Sequence, residues 1–125
     1  GGASVPLLPK SICDNIKMDF DSLQQAKSGL GTAAVIVMNK STDIIEAISR
    51  LSHFYKHESC GQCTPCRNGT EKIINIIKNK SKWDKELLCD ISEVMANASI
   101  CGLGQAASNP ILSVLKFFPK DAGIK

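Results

Sequence analysis

The stretch Glu58-Ser59-Cys60-Gly61-Gln62-Cys63-Thr64-Pro65-Cys66-Arg67 decides how this chain reads. Its three cysteines follow a C-x2-C-x2-C spacing. Two residues between ligands let the backbone curl so that neighbouring thiolates face adjacent metal atoms, and Gly61 permits the positive φ that such a curl uses. Zinc usually takes two pairs of ligands from two knuckles. Three close thiolates with one remote partner suit a cubane of four irons held by four cysteines. The motif points to a [4Fe–4S] cluster. The competing reading is a structural zinc-binding interaction module without redox role, and metal content separates the two.

The remote partner is sought among the remaining cysteines, 13, 89 and 101. Cys101 lies in Ile100-Cys101-Gly102-Leu103-Gly104, read as a glycine-punctuated loop that can place a thiolate freely. Cys89 falls inside a helix whose apolar face is read through Leu87, Ile91, Val94 and Ala98, and at 100° per residue it points away from that face. Cys101 is therefore the expected fourth ligand beside Cys60, Cys63 and Cys66. Cys89 and Cys13 read as bystanders, and His53 and His57 as solvent-facing histidines. Cys66 falls in the first turn of a helix, where free N–H groups favour thiolate. Arg67 is either a cation near the cluster or a solvated surface charge. The N–H groups of Gly61, Gln62, Gly102 and Gly104 are candidate donors to cluster sulfurs.

Working outward, the chain from Ser41 on is helical. Asp43 with Glu46 forms a capping-box pattern, followed by Ile44, Ile48, Leu51 and Tyr55 on one face. After the cysteines, Thr64 is the expected cap and Pro65 the first helical residue, with Ile73, Ile74 and Ile77 inward. A third helix runs from about Asp84 to Asn97, with Leu87, Leu88, Ile91, Val94 and Met95 on its stripe. A fourth starts at Ser108-Asn109-Pro110 and stops at Pro119. The expectation is mainly α: a small four-helix bundle over residues 41–125. Residues 1–40 read differently. Val5-Pro6-Leu7-Leu8-Pro9 is extended, Gly29-Leu30-Gly31-Thr32 is a turn, and Ala33-Ala34-Val35-Ile36-Val37-Met38 suits a buried strand. Two or three strands cannot stand alone, so this part reads as the end of a β domain.

Composition narrows the function. The chain has 125 residues, enough for one compact domain or a small domain with part of another. Net charge is +3 and the aromatic fraction 5%, too few rings to stack bases, so nucleic-acid binding is excluded as a leading reading. No apolar run reaches membrane-spanning length, so no direct membrane insertion is expected. Gly1-Gly2-Ala3-Ser4-Val5-Pro6 lacks the basic start and apolar core of a signal peptide. Six cysteines could make three disulfides, but three of them lie within seven residues. Secreted disulfide scaffolds spread theirs through loops, so a reducing compartment and a protein that is not secreted are expected.

The runs Met18-Asp19-Phe20-Asp21, Gly29 to Met38, Phe54 to Arg67 and Ile100 to Gly104 resemble one family, with Gly1 to Lys10 similar to the segment before its last strands. It is the NADH-binding flavoprotein subunit of respiratory complex I, with its relatives in NAD-linked hydrogenases and formate dehydrogenases. The resemblance covers nearly the whole chain. It implies that the cluster ligands fall on Cys60, Cys63, Cys66 and Cys101. It implies a four-helix iron–sulfur domain over 41–125, preceded by the last part of a β-grasp (ubiquitin-like) domain over 1–40. In the family NADH gives a hydride to FMN, and FMN hands electrons to this cluster; both bind a glycine-rich domain outside this chain. The implied partners are other subunits of a respiratory or hydrogenase-type complex, above all an iron–sulfur subunit. The implied location is the matrix side of the mitochondrial inner membrane, a related organelle, or the bacterial cytoplasm. Cys101 to Gln105 with Ser108-Asn109-Pro110 is more similar to the hydrogenase-type relatives, and the N-terminal half to complex I.

Overall fold

The computed structural model describes residues 2–79 and 82–124; Gly1 of the first resembling run lies outside them. The chain is mainly helical. Two short helices, α1 (Lys10–Cys13) and α2 (Phe20–Gln25), precede α3 (Ile44–Glu58), α4 (Thr64–Ile77), α5 (Lys85–Ala98), the five-residue α6 (Gly102–Ala106) and α7 (Asn109–Phe117). α3 packs on α4 and α7, and α5 packs on α4, α6 and α7.

Local chemistry sets the helix ends. Asp43 caps α3, its carboxylate accepting from the N–H groups of Ile45 at 2.9 Å and Glu46 at 3.1 Å. Glu46 does not close the box in return; it pairs with Arg50 one turn on, at 2.6 Å. Asp84 caps α5 through the N–H of Leu87 at 3.0 Å. Pro65 opens α4 and Pro110 opens α7, where a missing N–H costs nothing. The cap of α4 is Cys63 rather than the expected Thr64, because Thr64 already has helical backbone.

The core gathers Ile45, Ile48, Tyr55, Ile73, Ile77, Trp83, Leu88, Met95, Ile111 and Val114. Small hydroxyl residues sit among them. Ser52, Thr70 and Ser92 each return their hydroxyl to the carbonyl one turn back, at 3.0, 2.9 and 2.6 Å, so they are buried without an unpaired proton. Ser92 shifts the phase of α5. Its inward residues are Leu88, Ser92 and Met95, whereas Leu87 and Val94 are exposed. The inward face is thus rotated from the one read through Leu87, Ile91, Val94 and Ala98. Cys89 is exposed on either phase.

Residues 33–38 are not a strand. Among the described residues no strand forms, and this run is irregular, with Val37 89% exposed. A strand needs a neighbour for its N–H and C=O groups, and nothing within the described residues supplies one. The turn before it is present, closed by the Ala33 N–H on the Leu30 carbonyl at 2.8 Å. The N-terminal segment reaches α7 through two polar bonds, Leu7 N–H to Ser113 Oγ at 2.8 Å and Asn109 Nδ2 to the Ser4 carbonyl at 2.7 Å. Between it and the start of α3 lies an apolar cleft of about 810 Å³, bordered by Val5, Leu7, Val35, Ile36, Ile48 and Leu51.

Leu88 is fully buried where α5 meets the rest of the core. Leu88→Ala is expected to lower unfolding stability by about 2–5 kcal/mol, read by denaturant titration, while Leu87→Ala changes it by less than about 0.5 kcal/mol.

Candidate metal centre

The three clustered cysteines occupy the end of the α3–α4 link and the first turn of α4. Gly61 takes φ +74°, a left-handed conformation that side chains resist, and turns the chain between Cys60 and Cys63. Its N–H donates to Ser59 Oγ at 3.3 Å. Arg67 reaches back along α4 and donates to the carbonyls of Gly61 at 2.6 Å and Gln62 at 3.4 Å, and to Thr64 Oγ1 at 3.5 Å. The guanidinium therefore closes the curl that carries Cys60 and Cys63, so Arg67 is more than a solvated charge. Cys66 is buried, and its Sγ lies 3.3 Å from Ser59 Oγ.

The link between α5 and α7 comes up against this turn. The stretch Ile100 to Gly104, read as a loop, is partly helical: Gly102–Ala106 form α6, and Cys101 is its cap. Gly104 is buried beneath the site. A methyl group there would stand 2.6 Å from Ser99 Cβ and 2.9 Å from Cys66 Cβ, so only glycine lets the two turns approach this closely. The Ile100 N–H, from the residue before Cys101, is the main cause that holds the Cys63 thiol below its ordinary pKa, followed by the Cys66 N–H, with burial opposing them. The buried Ser99 hydroxyl has no hydrogen-bond partner among the described residues and lies against Gly104, beside Cys66.

The structure thus brings Cys66 together with the 99–104 turn, places Cys60 and Cys63 on the curl that leads into α4, and sets Cys101 next to Ile100, whose N–H lowers the Cys63 pKa. Cys60 and Cys101 are exposed. Among the described residues, no three His, Cys, Asp or Glu side chains close around one point as they would around a single metal ion. A cubane presents each thiolate with a different iron, so its ligands stand farther apart than those of one tetrahedral ion. Four thiols, N–H groups aimed at sulfur and a hydroxyl wanting an acceptor form a donor set that fits such a cluster. Cys13 at the end of α1 and Cys89 on α5 lie outside it, both exposed. His53 is exposed, and His57 pairs with Glu58 at 3.1 Å. Sequence reasoning passed over Ser59, Ser99 and the packing role of Gly104; the glycine pair after Cys101 was the one signal for it.

Two outcomes follow. Gly104→Ala forces Cys66 and Ser99 apart, so it is expected to cost about 1–3 kcal/mol in denaturant unfolding and to reduce the iron retained per chain. In the metal-free chain, the lowered pKa means that Cys63 becomes thiolate at lower pH. Its alkylation by iodoacetamide, followed by peptide mass spectrometry, should therefore reach half its limiting rate at a lower pH than it does in the urea-unfolded chain.

Known proteins are similar to this chain in sequence and in fold. The family described as the NADH-ubiquinone oxidoreductase-F iron-sulfur binding region matches residues 46–124. The chain is 55% identical over 123 residues to the mitochondrial NADH dehydrogenase [ubiquinone] flavoprotein 1 of Dictyostelium discoideum, covering 94% of this chain and 26% of that protein. It is 52% identical over 126 residues to an NADH-quinone oxidoreductase subunit of Rickettsia bellii, covering 97% and 30%. The chain therefore spans about a quarter to a third of the length of these relatives. Its fold is similar to that of an NAD+-reducing [NiFe]-hydrogenase in the H2-reduced state, with TM-score 0.77, 27% identity, and coverage of 100% of this chain and 22% of that one. These sequence relatives are NADH oxidoreductases of the ubiquinone and quinone type. Identity over nearly the whole chain is thus to subunits of that type, while backbone similarity extends to the hydrogenase. The match over residues 46–124, which takes in all four expected ligand cysteines, makes this chain a member of the family of the NADH-ubiquinone oxidoreductase-F iron-sulfur binding region.

Proposed function

We propose that this chain is the electron-transfer part of an NADH-oxidising flavoprotein subunit, with Cys60, Cys63, Cys66 and Cys101 as the four ligands of its [4Fe–4S] cluster. The observation that carries the reading is the approach of the 99–104 turn to the first turn of α4, which joins the three clustered cysteines to the neighbourhood of the fourth. When bound, the cluster supplies a one-electron acceptor and donor. The chain's own residues do the rest. Arg67 and the Gly61 turn hold the curl that presents Cys60 and Cys63. The Ile100 and Cys66 N–H groups favour the thiolate form of Cys63. The positive end of the fourteen-residue α4 favours negative charge at the site.

In this reading NADH passes a hydride to FMN in a part of the longer polypeptide outside this chain. Single electrons then move through the iron–sulfur region to iron–sulfur centres of a partner subunit. The partners are subunits of a complex of the respiratory kind. The location is that of the relatives, mitochondrial or bacterial, at the membrane periphery; no described helix is long and apolar enough to cross a membrane. Residues 41–125 are assigned as a four-helix iron–sulfur domain built on α3, α4, α5 and α7. Residues 1–40 are assigned as the last part of a β-grasp domain, whose other strands come from the rest of the polypeptide. The exposed apolar run at 35–38 supports that assignment.

Anaerobic reconstitution with iron and sulfide should give about four irons and four sulfides per chain. Cys101→Ser is expected to abolish stable assembly and Cys89→Ser to leave it intact. One zinc and no labile sulfide in the wild-type chain would refute the proposal.

A further inference from the structure

We infer that the hydroxyls of Ser59 and Ser99 donate hydrogen bonds to the ligand sulfurs beside them, Ser59 to that of Cys66, and set the reduction potential of this centre. The inference rests on the cluster assignment above and goes beyond it.

Ser59 is oriented by its own neighbours. Its Oγ accepts the Gly61 N–H at 3.3 Å, which occupies an oxygen lone pair and leaves the hydroxyl proton for another acceptor. The Cys66 sulfur stands 3.3 Å away. A metal-bound cysteine sulfur is a thiolate with no proton to give, so across this pair Ser59 is the donor. Ser99 reaches the same role by a different route. Its side chain is buried at 6% residue exposure and its hydroxyl has no well-formed partner. A buried hydroxyl without an acceptor costs about 1–3 kcal/mol, so natural sites seldom keep one idle. It lies against Gly104 beside Cys66, and the acceptor on offer there is sulfur.

The direction of the effect follows from charge. Reduction adds one electron, and the added negative charge spreads onto the sulfurs. A donor to sulfur then binds more strongly than before, so it stabilises the reduced form and raises the potential. Removing the donor must lower it. Cys60 and Cys101 are exposed. Cys66 is buried and Cys63 half-buried, so the two protein hydroxyls act where solvent reaches least.

The test is an EPR-monitored redox titration of the intact protein carrying its cluster, with dithionite as reductant, for wild type, Ser59→Ala, Ser99→Ala, the double variant and Ser59→Thr. Iron and sulfide are counted in each. Each alanine variant is expected to lower the midpoint by up to a tenfold change in the reduction equilibrium, about 59 mV for one electron. The two shifts should add, and Ser59→Thr, which keeps a hydroxyl, should stay at the wild-type value. A second measurement needs no potential: the Fe–S stretching bands of the wild type should shift in D2O by more than those of the double variant. Fully loaded alanine variants at the wild-type potential, with the same D2O shift as wild type, would overturn the serine assignment alone. A wild-type chain holding zinc without sulfide would overturn both it and the cluster assignment.

Discussion

The first turn of α4 and the turn before α6 meet at a distance that only a glycine allows. Gly104 lies against Cys66 Cβ and Ser99 Cβ, and no larger residue fits there. Much else is arranged around this contact. It fixes Cys66 as a buried side chain in a chain where Cys60 and Cys101 remain exposed. The turn before α6 also carries the Ile100 N–H that holds the Cys63 thiol below its ordinary pKa. Because α4 and α5 pack on each other and α6 touches both, the same contact ties the far ends of the helical core together. The site and the core share one constraint, so the site cannot relax without the core noticing.

Electrostatics run in the same sense as packing. In the proposed centre four cysteines would become thiolate and repel one another, and a cluster that accepts an electron would add further negative charge. The chain answers mainly with backbone N–H groups rather than with cations. Arg67 is spent on carbonyls: it donates to Gly61 and Gln62 oxygens and so acts on the shape of the curl. The α4 amino terminus supplies the positive field. N–H donors are fixed by the fold and cannot swing away with a side chain, so the environment of the sulfurs is as rigid as the two turns that carry it.

The sequence announced this site through one local signal and hid its supports. C-x2-C-x2-C is readable because ligand spacing is a property of a few consecutive residues. The long helices were readable for a similar reason: Asp43, Pro65, Asp84 and Pro110 mark their beginnings. The phase of α5 was not, because Ser92 and Ser99 occupy inward positions that an apolar count treats as surface, and the exposed Leu87 and Val94 pull the reading the other way. The α6 helix was missed since its two glycines argue against helix by propensity, whereas in the fold Gly104 is there for close approach. The strand at 33–38 failed for another reason. Its residues have the composition of a strand, but a strand is a relation between segments, and its composition cannot supply the neighbour.

That last failure bears on how the chain is divided. The family match begins at residue 46, within the first turn of α3, and runs to 124. Around that span Ile45, Ile48 and Tyr55 of α3 bury themselves against α4 and α7. Before it, attachment changes character. The N-terminal segment meets α7 through the Leu7 and Ser4 backbones and borders an open apolar cleft with the start of α3. Val35, Ile36 and Val37 lie in water, each more than half exposed. Apolar burial is worth about 25 cal/mol per Å², so three adjacent large side chains left out forgo several kcal/mol, of the order of a domain's whole stability. In the proposed division, strands of a β-grasp domain would cover this run. This chain covers only 26% and 30% of the two curated relatives, and their extra length is where the proposed β-grasp partners would be found.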